Sequence, residues 1–403
     1  MEQLARFDPR LSPFSRAVKN SANPQTVYYD KAKDIRAERI EGVVHLYRMA
    51  DIVAINRHPS ITGTGGRGGT FGNAGALIPL EIDGSDHKKW RRLLDPMFAP
   101  KQVARLEESV RGLARELIDG FVENGSVDLA QAFCVPLPCQ TFLRIMGAPI
   151  EDFDFFIEFK NAVIHPKGDT TEEIDMNMAL GGAKLLEYFT TFLAKRRAEA
   201  GPAEDVIGIL LRSEVDGEPL TDPELLNILF LFMFAGLDTV TSTMSCTFAW
   251  LAQHPEERRR LVEDKSLIPA AVEELLRVES PVPSGLRYCD KEDIDLGDGL
   301  IIRKGEAIHA IWAAANVDPE AFEDPLTVKF GRRANHIAFA SGVHRCLGSH
   351  LARLEMRVAV EELLSSIPDF ALQPGDDLVY DNVPVRNVTY LPITFKPRVH
   401  APA

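Results

Sequence analysis

The sequence predicts a mainly α fold with small β-sheets, of the α+β class. Helical periodicity of apolar residues dominates from about residue 88 to 280, between polar and proline-rich connectors. Strand-like segments precede this region, through about residue 60, and return from about 284 to 312, where Gly297, Gly299 and Gly305 are turn signals. The C-terminal tail again consists of short extended segments.

Composition and charge narrow the class of protein. The chain has 403 residues, a length that by itself suggests two or three domains. Apolar residues make up 45% and charged residues 26%, as in soluble globular proteins. The net charge of −14 would repel a polyanion, so we expect no nucleic-acid partner. The N-terminus has neither an apolar signal segment nor a spanning helix, so we expect a cytoplasmic protein without a membrane partner.

The cysteine content argues against structural cross-links. The five cysteines are an odd number and include no C-x-x-C pair, so we expect neither a disulfide framework nor a structural zinc site. They are Cys134, Cys139, Cys246, Cys289 and Cys346.

The N-terminal region combines strand and loop signals. Alternation from Val43 to Tyr47 predicts a strand, and a glycine-rich stretch follows at residues 63–69. This stretch lacks the G-x-x-x-x-G-K-[ST] pattern and the strand-to-helix context of a nucleotide site. We interpret it as a mobile lid, with a solvated surface loop as the alternative.

The longest helix signal runs from Thr221 to about Gln253. Thr221 is a suitable N-cap, Pro223 suits the first turn, and Glu224 completes a capping box. Residues 225–237 are almost entirely apolar, but the stretch is too short to cross a bilayer. A helix that is apolar on every face belongs in the centre of a soluble chain.

Two residues within this helix do not suit a purely structural role. Gly236 lowers helix stability by roughly 1 kcal/mol relative to alanine, and Asp238 places a carboxylate in an apolar helix. Thr239 follows directly. For Thr239 there is a structural alternative, a hydrogen bond from its hydroxyl to the carbonyl of Ala235, four residues earlier.

A further helical stretch, Ala270 to Val278, contains Glu274 and Arg277. Their i, i+3 spacing puts both side chains on one face of the helix. Taken alone, this pattern predicts a surface ion pair worth roughly a few tenths of a kcal/mol.

Cys346 lies in the stretch 339–348, F-A-S-G-V-H-R-C-L-G, and a helical pattern begins just after it. We expect a lowered pKa for this cysteine, because the positive end of a helix dipole favours the thiolate. Gly342 and Gly348 let the backbone fold closely around the sulfur, and Phe339 can shield it from water. These features predict a thiolate that a loop presents to a cofactor. The alternative is a buried, inert cysteine.

The pattern F-x-x-G-x-H-x-C-x-G before an amphipathic helix resembles the haem-ligand signature of the cytochrome P450 family, the haem-thiolate monooxygenases. The resemblance implies a single P450 domain over residues 1–403. It also implies that haem b lies between the long central helix and the ligand loop, with Cys346 as the axial iron ligand. Ala340 stands where many members carry glycine, and we expect it only to avoid a left-handed backbone.

The segment from Ala235 to Thr239 looks like the family's acid-alcohol pair. In that family, small residues such as Ala235 and Gly236 lie beside the haem, and a local widening of the helix leaves a groove for dioxygen. The resemblance implies that Thr239 hydrogen-bonds the reduced dioxygen. It implies that Asp238 relays protons to the distal oxygen, so that the O–O bond breaks heterolytically.

Glu274 and Arg277 match the family's E-x-x-R pair. The resemblance implies that the pair is buried behind the haem and bonded to the later meander segment, here residues 316–333. Its implied role is folding and haem retention, not chemistry.

Cations for the two haem propionates fall at positions similar to those in the family. His87 and Arg91 are four residues apart and share one helix face. Arg287 follows the E-x-x-R helix, and His344 precedes Cys346 by two residues. Each alone could be an ordinary surface charge.

The resemblance implies insertion of one oxygen atom from O2 into a hydrophobic small molecule. We expect the electrons to come from a separate ferredoxin and an NAD(P)H-dependent ferredoxin reductase, because no flavin or iron–sulfur segment is fused to this chain. An acidic ferredoxin would need a local basic patch on this acidic chain. The candidates are Lys88, Lys89, Arg92, Arg345 and Arg353.

Two other functions are compatible with a haem-thiolate site. One is a peroxide-driven peroxygenase, although peroxide-using relatives tend to lack the acid-alcohol pair. The other is a non-catalytic gas or redox sensor, for which a distal proton relay would be superfluous.

The substrate pocket implied by the family geometry is mainly apolar. Terpenoid, steroid, fatty-acid-like and polyketide substrates are all compatible with it. Residues that could line it are Phe71, Leu77, Phe234, Ala235, Pro283, Gly285, Asn387 and Val388, with Ala76 and Ile78 beside them in the lid.

Overall fold

Helices form most of the described chain. A computed structural model describes residues 13–19, 21–63, 73, 75–199, 204–333 and 335–398. The α-helices are α1 (Pro13–Val18), α2 (Pro24–Asp34), α3 (Met49–Arg57), α4 (Gly84–Leu94), α5 (Pro100–Val103), α6 (Glu107–Asp119), α7 (Pro136–Met146), α8 (Phe153–Ile164), α9 (Thr171–Ala198), α10 (Val206–Leu210), α11 (Asp222–Gly236), α12 (Thr239–Gln253), α13 (Pro255–Glu263), α14 (Ile268–Glu279), α15 (Trp312–Asn316) and α16 (Ser349–Ser366). Short 3₁₀ turns lie at Asp95–Phe98, Ala104–Leu106, Ile150–Asp152, Lys265–Leu267 and Gly342–His344, and a π-helical turn at Ala130–Cys134.

The strands are short and form small sheets. They are β1 (Ala37–Ile40), β2 (Val43–Leu46), β3 (Ile61–Thr62), β4 (Ser126–Asp128), β5 (Glu214–Val215), β6 (Glu218–Pro219), β7 (Gly285–Cys289), β8 (Ile294–Asp295), β9 (Ile301–Ile302), β10 (Ala307–Ala310), β11 (Phe370–Leu372), β12 (Val379–Asp381), β13 (Asn387–Tyr390) and β14 (Pro392–Phe395). One sheet has the order β1-β2-β10-β7-β3 and another β11-β14-β4, and three two-stranded pairs remain.

The predicted mainly α fold with small sheets is confirmed. Strand β2 covers the predicted alternation that begins at Val43, and β7 to β10 occupy the strand-like region after residue 284. Gly297, Gly299 and Gly305 have φ angles of 80°, 80° and 90°, the left-handed conformation that turns require. The first 60 residues also contain helices α2 and α3, where the pattern indicated mixed, strand-like structure.

The five-stranded sheet joins distant parts of the chain. β2 runs parallel to β10, and β7 pairs antiparallel with β10, with Arg287 opposite Ile308. Because side chains alternate along a strand, Gly285 and Arg287 share one face of β7. The sheet therefore fixes where these two predicted site residues lie.

The predicted central helix is present but is interrupted. Glu224 accepts a hydrogen bond of 2.8 Å from the Thr221 amide, as the capping box predicts. α11 ends at Gly236 and α12 begins at Thr239, with Asp238 at the N-cap of α12. The bond that should continue the ladder, from the Leu237 amide to the Met233 carbonyl, is long at 3.4 Å. The break falls at the acid-alcohol pair.

Taken together, α11 and α12 are long and apolar enough to pass for a membrane span by length and composition. In this protein 67% of the most apolar window is buried, as in the core helix of a soluble protein. The apolar stretch predicted over residues 225–237 is therefore part of a longer apolar segment that covers α11 and α12. The burial of this segment agrees with the prediction that the helix lies in the centre of the protein.

Helix α16, which starts three residues after Cys346, is held from outside by ion pairs. It packs on α6, α12 and α14. Arg111 on α6 donates to Glu361 at 2.8 Å, and Arg115 donates to Glu362 at 2.8 Å. Charged contacts and apolar packing together fix the helix that follows the ligand loop.

The pair Glu274 and Arg277 on α14 is fully buried, so the surface ion pair is excluded. Arg277 donates to Glu274 through Nε at 2.9 Å and to the carbonyls of Asn316 and Pro325 at 2.7 and 2.8 Å. Arg332 donates to Glu274 at 2.9 Å. α14 is thereby bonded to the meander segment that leads to Cys346.

We expect Glu274→Gln to destabilise the protein by about 3–5 kcal/mol, because it leaves the Arg277 charge buried without a carboxylate. The measurement is urea unfolding followed by circular dichroism. The matched control is Glu256→Gln, which breaks a Glu–Arg pair of the same i, i+3 spacing with Arg259, whose side chains are 79% and 59% exposed. That change should cost less than about 1 kcal/mol. Equal effects of both variants would contradict the importance of the buried pair.

Candidate active site around Cys346

Cys346 is the one accessible cysteine of the five. Cys134, Cys139, Cys246 and Cys289 are buried, whereas Cys346 is exposed. Its amide donates to the Phe339 carbonyl at 2.9 Å, which closes the loop just before α16. The inert, buried cysteine of the alternative interpretation is therefore excluded.

The pKa of the Cys346 thiol differs from the sequence-based expectation. Burial raises this pKa, while the hydrogen bond from the Gly348 amide and the charges of Arg91, Arg345 and Arg353 oppose the rise. Cys346 has accessible surface, yet enough protein surrounds its sulfur to exclude much of the water around it. Both conditions hold for a residue that lines an internal space. The predicted lowering of the pKa is wrong for the polypeptide by itself, because desolvation exceeds the effect of the helix terminus.

The loop around Cys346 depends on positive φ angles. Gly342 has φ 74°, and a Cβ there would lie 2.0 Å from the Asn56 carbonyl oxygen, so only glycine fits. Ala340 has φ 54°. The expectation that Ala340 avoids the left-handed backbone is therefore wrong, and the conformation costs roughly 1–2 kcal/mol for a residue with a Cβ. A Cβ at Gly348 would meet open space, so space alone does not require glycine there.

Phe339 is half-buried beside the loop. The Arg353 guanidinium lies 4.4 Å from the centre of its ring, within the range of a cation–π contact. Arg353 also donates to Glu273 at 2.6 Å. The proposed shield of the sulfur is thus held in place from α16.

On the central helix, Ala235 is exposed although its neighbours Met233 and Leu237 are buried. The helix therefore presents Ala235 to an open space. Thr239, one turn later, is half-buried, and its hydroxyl donates to the Ala235 carbonyl at 2.9 Å. The structural alternative for Thr239 is thus observed, and it leaves the hydroxyl oxygen free to accept a further hydrogen bond.

Gly236 serves helix packing. A Cβ at this position would lie 2.7 Å from the ring of Phe142 on α7. The glycine is required by the close approach of α7, on a side of the helix about 100° from Ala235. Its predicted place beside the haem stays a prediction.

Asp238 is fully buried and is held by two cations. Lys160 Nζ lies 3.0 Å from Oδ1, and His165 Nε2 lies 3.1 Å from Oδ2. Burial alone would raise the pKa of Asp238, but His165 and Lys160 outweigh it and lower the pKa to about 2. Sequence reasoning missed both partners. The available signal was that a carboxylate in an apolar helix needs a cation, but nothing in the sequence identifies residues 78 and 73 positions away.

The four residues predicted to bind the propionates differ in burial and in their hydrogen-bond partners. His87 is buried, and its Nε2 has no hydrogen-bond partner among the described residues. Burial, with the nearby charges of His344 and Arg91, lowers the pKa of His87 to about 4. Arg287 is also buried, and its guanidinium donates a hydrogen bond to the carbonyl of the neighbouring Leu286. Burial lowers the pKa of Arg287 to about 10.

The other two cations are already engaged. His344 Nε2 lies 2.8 Å from Asp83 Oδ1, and its ring centre is 4.4 Å from that of His87. Arg91 donates to Asp95 at 2.6 Å and to the carbonyl of Arg345 at 2.8 Å. Arg91 thus joins α4 to the Cys346 loop. Asp83 was not predicted from the sequence.

These groups fit an anionic cofactor beside the thiol. His87 Nε2 and the indole Nε1 of Trp312 are buried donors without partners among the residues that the structure describes. The Arg287 guanidinium lies 5.8 Å from the Trp312 ring. Buried donors and a desolvated guanidinium require an acceptor, and the carboxylates of haem would supply it.

The predicted pocket residues divide into four groups. Phe234, Ala235, Pro283 and Gly285 retain exposed surface on α11 and at the start of β7. Leu77 is fully buried in the main core, so it does not line an open space. Phe71 lies outside the described residues.

Asn387 and Val388 face a different part of the protein. Asn387 accepts a hydrogen bond of 2.9 Å from Ser245 on α12, and the Val388 amide donates to the same hydroxyl. Ser245 lies about 120° around α12 from Thr239, which is six residues away. The prediction places Asn387 and Val388 in the pocket above the haem, whereas the structure places them against Ser245.

These two residues line a separate cavity of about 230 Å³ between α8, α12 and the β12–β13 hairpin. Lys160 and His165, the partners of Asp238, also line it. The other lining residues are Ala130, Gln131, Cys134, Val135, Ile157, Asn161, Thr241, Ser245, Asp381 and Thr389.

This chain is similar to known cytochrome P450 proteins. The sequence model of a family described as Cytochrome P450 matches residues 176–379. Cytochrome P450 CYP107DY1 of Priestia megaterium is 33% identical over 78% of this chain and 76% of its own length. The Vitamin D(3) 25-hydroxylase of Pseudonocardia autotrophica is 34% identical over 79% of this chain and 77% of its own.

A solved structure gives the same result for the fold. The bacillaene polyketide synthase cytochrome P450 PksS of Bacillus subtilis 168 superposes with a TM-score of 0.83 and 29% identity, over 93% of this chain and 97% of that one. Because relatives share more than 30% identity with it over more than three quarters of its length, this chain belongs to the cytochrome P450 family.

Proposed function

We propose that this haem-thiolate monooxygenase inserts one oxygen atom from O2 into a hydrophobic small molecule, with electrons from a separate ferredoxin and its NAD(P)H-dependent reductase. The observation that carries the proposal is the accessible Cys346 thiol, together with the helix break at Asp238 and Thr239. A peroxygenase would not need the buried acid Asp238 beside the hydroxyl of Thr239. A sensor would need neither the acid nor the hydroxyl.

Members of the family bind haem b, and the residues of this chain fit it. Cys346 would be the iron ligand. Arg91, Arg287 and His344 would lie near the propionates, with the neutral His87 as a further hydrogen-bond donor. Thiolate-ligated haem supplies O–O cleavage and oxygen insertion into C–H bonds. The role of Glu274 and Arg277 would be to hold the meander segment behind the ligand loop.

Thr239 would position oxygen through its hydroxyl oxygen. While its proton is donated to the Ala235 carbonyl, Oγ1 has lone pairs that can accept a hydrogen bond from a molecule beside Ala235. Asp238 would relay protons: its carboxylate is ionised, so it would take a proton from a neighbour and pass it on toward Thr239, the next residue. The pair would thus supply protons where the open space meets the helix.

The substrate we propose is mainly apolar, a terpenoid, steroid, fatty-acid-like or polyketide compound. Phe234, Ala235, Pro283 and Gly285 offer apolar surface and backbone with few charges. The names of two relatives, a vitamin D hydroxylase and a polyketide synthase P450, support this range. A screen for substrate-induced spin-state changes would narrow it.

The ferredoxin would dock on the surface near the ligand loop. Lys88, Arg92 and Arg345 are exposed there. Lys89 lies 3.6 Å from Asp86, and Arg353 is engaged with Glu273, so these two offer less free charge. We define Lys88, Arg92 and Arg345 as the basic patch, to which an acidic ferredoxin would be attracted.

Cys346→Ser should abolish the carbon-monoxide spectral signature of thiolate-ligated ferrous haem, because a serine hydroxyl does not provide the anionic sulfur. The measurement is a reduced-plus-carbon-monoxide difference spectrum. Cys289→Ser, a change at a buried cysteine in β7, should keep the signature. A Cys346→Ser protein that keeps it would refute the ligand assignment.

Thr239→Ala should uncouple the reaction and raise severalfold the fraction of electrons recovered as hydrogen peroxide, because the hydroxyl at the oxygen site is lost. Peroxide and product are measured per NAD(P)H consumed. The control is Thr243→Ala, which removes an equivalent hydroxyl, bonded to the Thr239 carbonyl at 2.7 Å one turn later. Uncoupling of the same size in both variants would argue against a special role for Thr239.

Turnover should proceed with ferredoxin and reductase but not with peroxide alone. The double change Lys88→Glu and Arg92→Glu should slow reduction by ferredoxin roughly tenfold at low salt, because electrostatic steering is lost. Reduction by dithionite should be unchanged, and so should both rates in Lys291→Glu, an exposed lysine between β7 and β8. Efficient turnover with peroxide alone would favour the peroxygenase instead, and equal slowing by both reductants would reject the basic patch.

A further inference from the structure

His165 is placed between two carboxylates at the edge of the cavity lined by α8 and α12. It follows the last residue of α8, and its Nε2 lies 3.1 Å from Asp238 Oδ2. Its Nδ1 lies 3.4 Å from Asp381 Oδ2, on β12. Each ring nitrogen thus faces a carboxylate oxygen, an arrangement that suits the doubly protonated imidazolium.

The charges around this ring are balanced. Asp238 faces it from the helix break, Asp381 from the C-terminal hairpin, and Lys160, on the same helix as His165, bonds the other oxygen of Asp238. Burial by itself would lower the pKa of His165, but the two carboxylates outweigh it and raise the pKa to about 9. The ring is therefore charged at neutral pH.

Asp238 has no exposed surface, so any proton it delivers must come through a neighbour. Asp381 contacts His165, and His165 contacts Asp238. Side-chain exposure falls along this series, from 29% at Asp381 to 18% at His165 and 0% at Asp238. Lys160, the other neighbour of Asp238, is 6% exposed. An imidazolium is also a stronger acid than an alkylammonium, so histidine is better suited than lysine to give up a proton.

We propose that His165 is the proton-entry residue for Asp238 and that Asp381 is the positioning residue that orients its ring. In the step, the proton on His165 Nε2 passes to Asp238 Oδ2, and the N–H bond breaks as the O–H bond forms. The imidazole becomes neutral and keeps its Nδ1 proton toward Asp381. Once Asp238 has passed its proton on, Nε2 takes a new proton from solvent in the cavity. This inference rests on the proposed monooxygenase function.

The test uses His165→Gln and Asp381→Asn in the haem-loaded protein. Glutamine can keep a hydrogen bond to Asp238, but its amide is too weak an acid to transfer a proton. Product formation should therefore fall roughly tenfold or more, and the yield of hydrogen peroxide should rise. The solvent deuterium isotope effect on product formation should change in His165→Gln. The matched control is Asn161→Ala, which alters the same cavity without touching Asp238. It should change neither quantity.

A pH profile separates proton entry from a purely structural clamp. Because the folded pKa of His165 is raised, the charged form persists below about pH 9 and is lost above it. Wild-type coupling should be constant up to that range and then fall. In Asp381→Asn the fall should move to lower pH, and in His165→Gln this limb should be absent. A clamp would change the melting temperature and leave the profile and isotope effect unaltered.

A readout that does not depend on turnover is the titration of His165 by NMR, with ¹³C-labelled histidine in the diamagnetic ferrous carbon-monoxide complex. Asp381→Asn should lower the measured pKa, and an unchanged pKa would overturn the positioning role. If His165→Gln fails to retain haem, Asp381→Asn carries the test, since it keeps the ring.

The outcomes also separate this inference from the proposed function. Normal coupling and an unchanged isotope effect in His165→Gln, with an active wild type, would overturn the proton-entry role alone. A wild type that shows the carbon-monoxide signature but forms no product with any reductant would overturn the monooxygenase proposal, and the proton-entry role with it.

Discussion

A charge removed from water must be matched by an opposite charge, and this constraint holds the ligand loop in place. Arg277 has no exposed side-chain surface, and its donors are divided between Glu274 and the carbonyls of Asn316 and Pro325. Those carbonyls belong to the segment that runs toward Cys346. A different path for this segment would leave a guanidinium unsatisfied in the interior. The position of the thiol therefore depends on a contact made by a helix far from it in sequence.

The same constraint acts on the central helix with a different result. Asp238 interrupts the helix and is neutralised by Lys160 and His165, which draws the end of α8 against α12. In the Glu274 cluster both cations are arginines, which remain charged at any ordinary pH. In the Asp238 cluster one cation is a histidine, which can lose its charge. The first cluster is therefore suited to support and the second to proton exchange.

Features encoded by adjacent residues could be predicted from the sequence. The capping box at Thr221, the apolar central helix and the loop cysteine before α16 all depend on residues within a few positions of one another, and their patterns identify them. The fold class follows from the same local periodicity. Burial of the Glu274 pair could be inferred only from the family resemblance, since its spacing is equally typical of a surface pair.

Features that depend on tertiary contact could not be predicted. The approach of Phe142 explains Gly236, and nothing near Gly236 in the sequence indicates it. The raised pKa of Cys346 follows from the amount of protein around the sulfur, which a helix-terminus rule does not contain. The left-handed Ala340 shows that a local preference of about 1–2 kcal/mol yields where the surrounding loop demands it.

At the break between α11 and α12, the consecutive residues Asp238 and Thr239 contact different parts of the protein. Successive residues of a helix point about 100° apart, so Asp238 and Thr239 point in different directions. Asp238 faces Lys160 and His165 at the end of α8, whereas Thr239 bonds toward the exposed Ala235. A continuous ladder at this point would bury the carboxylate among apolar side chains without its cations. With the ladder interrupted, one peptide unit separates the carboxylate held by Lys160 and His165 from the hydroxyl that bonds toward Ala235. Under the proposed function, protons and substrate would then reach Thr239 from different sides of the same helix.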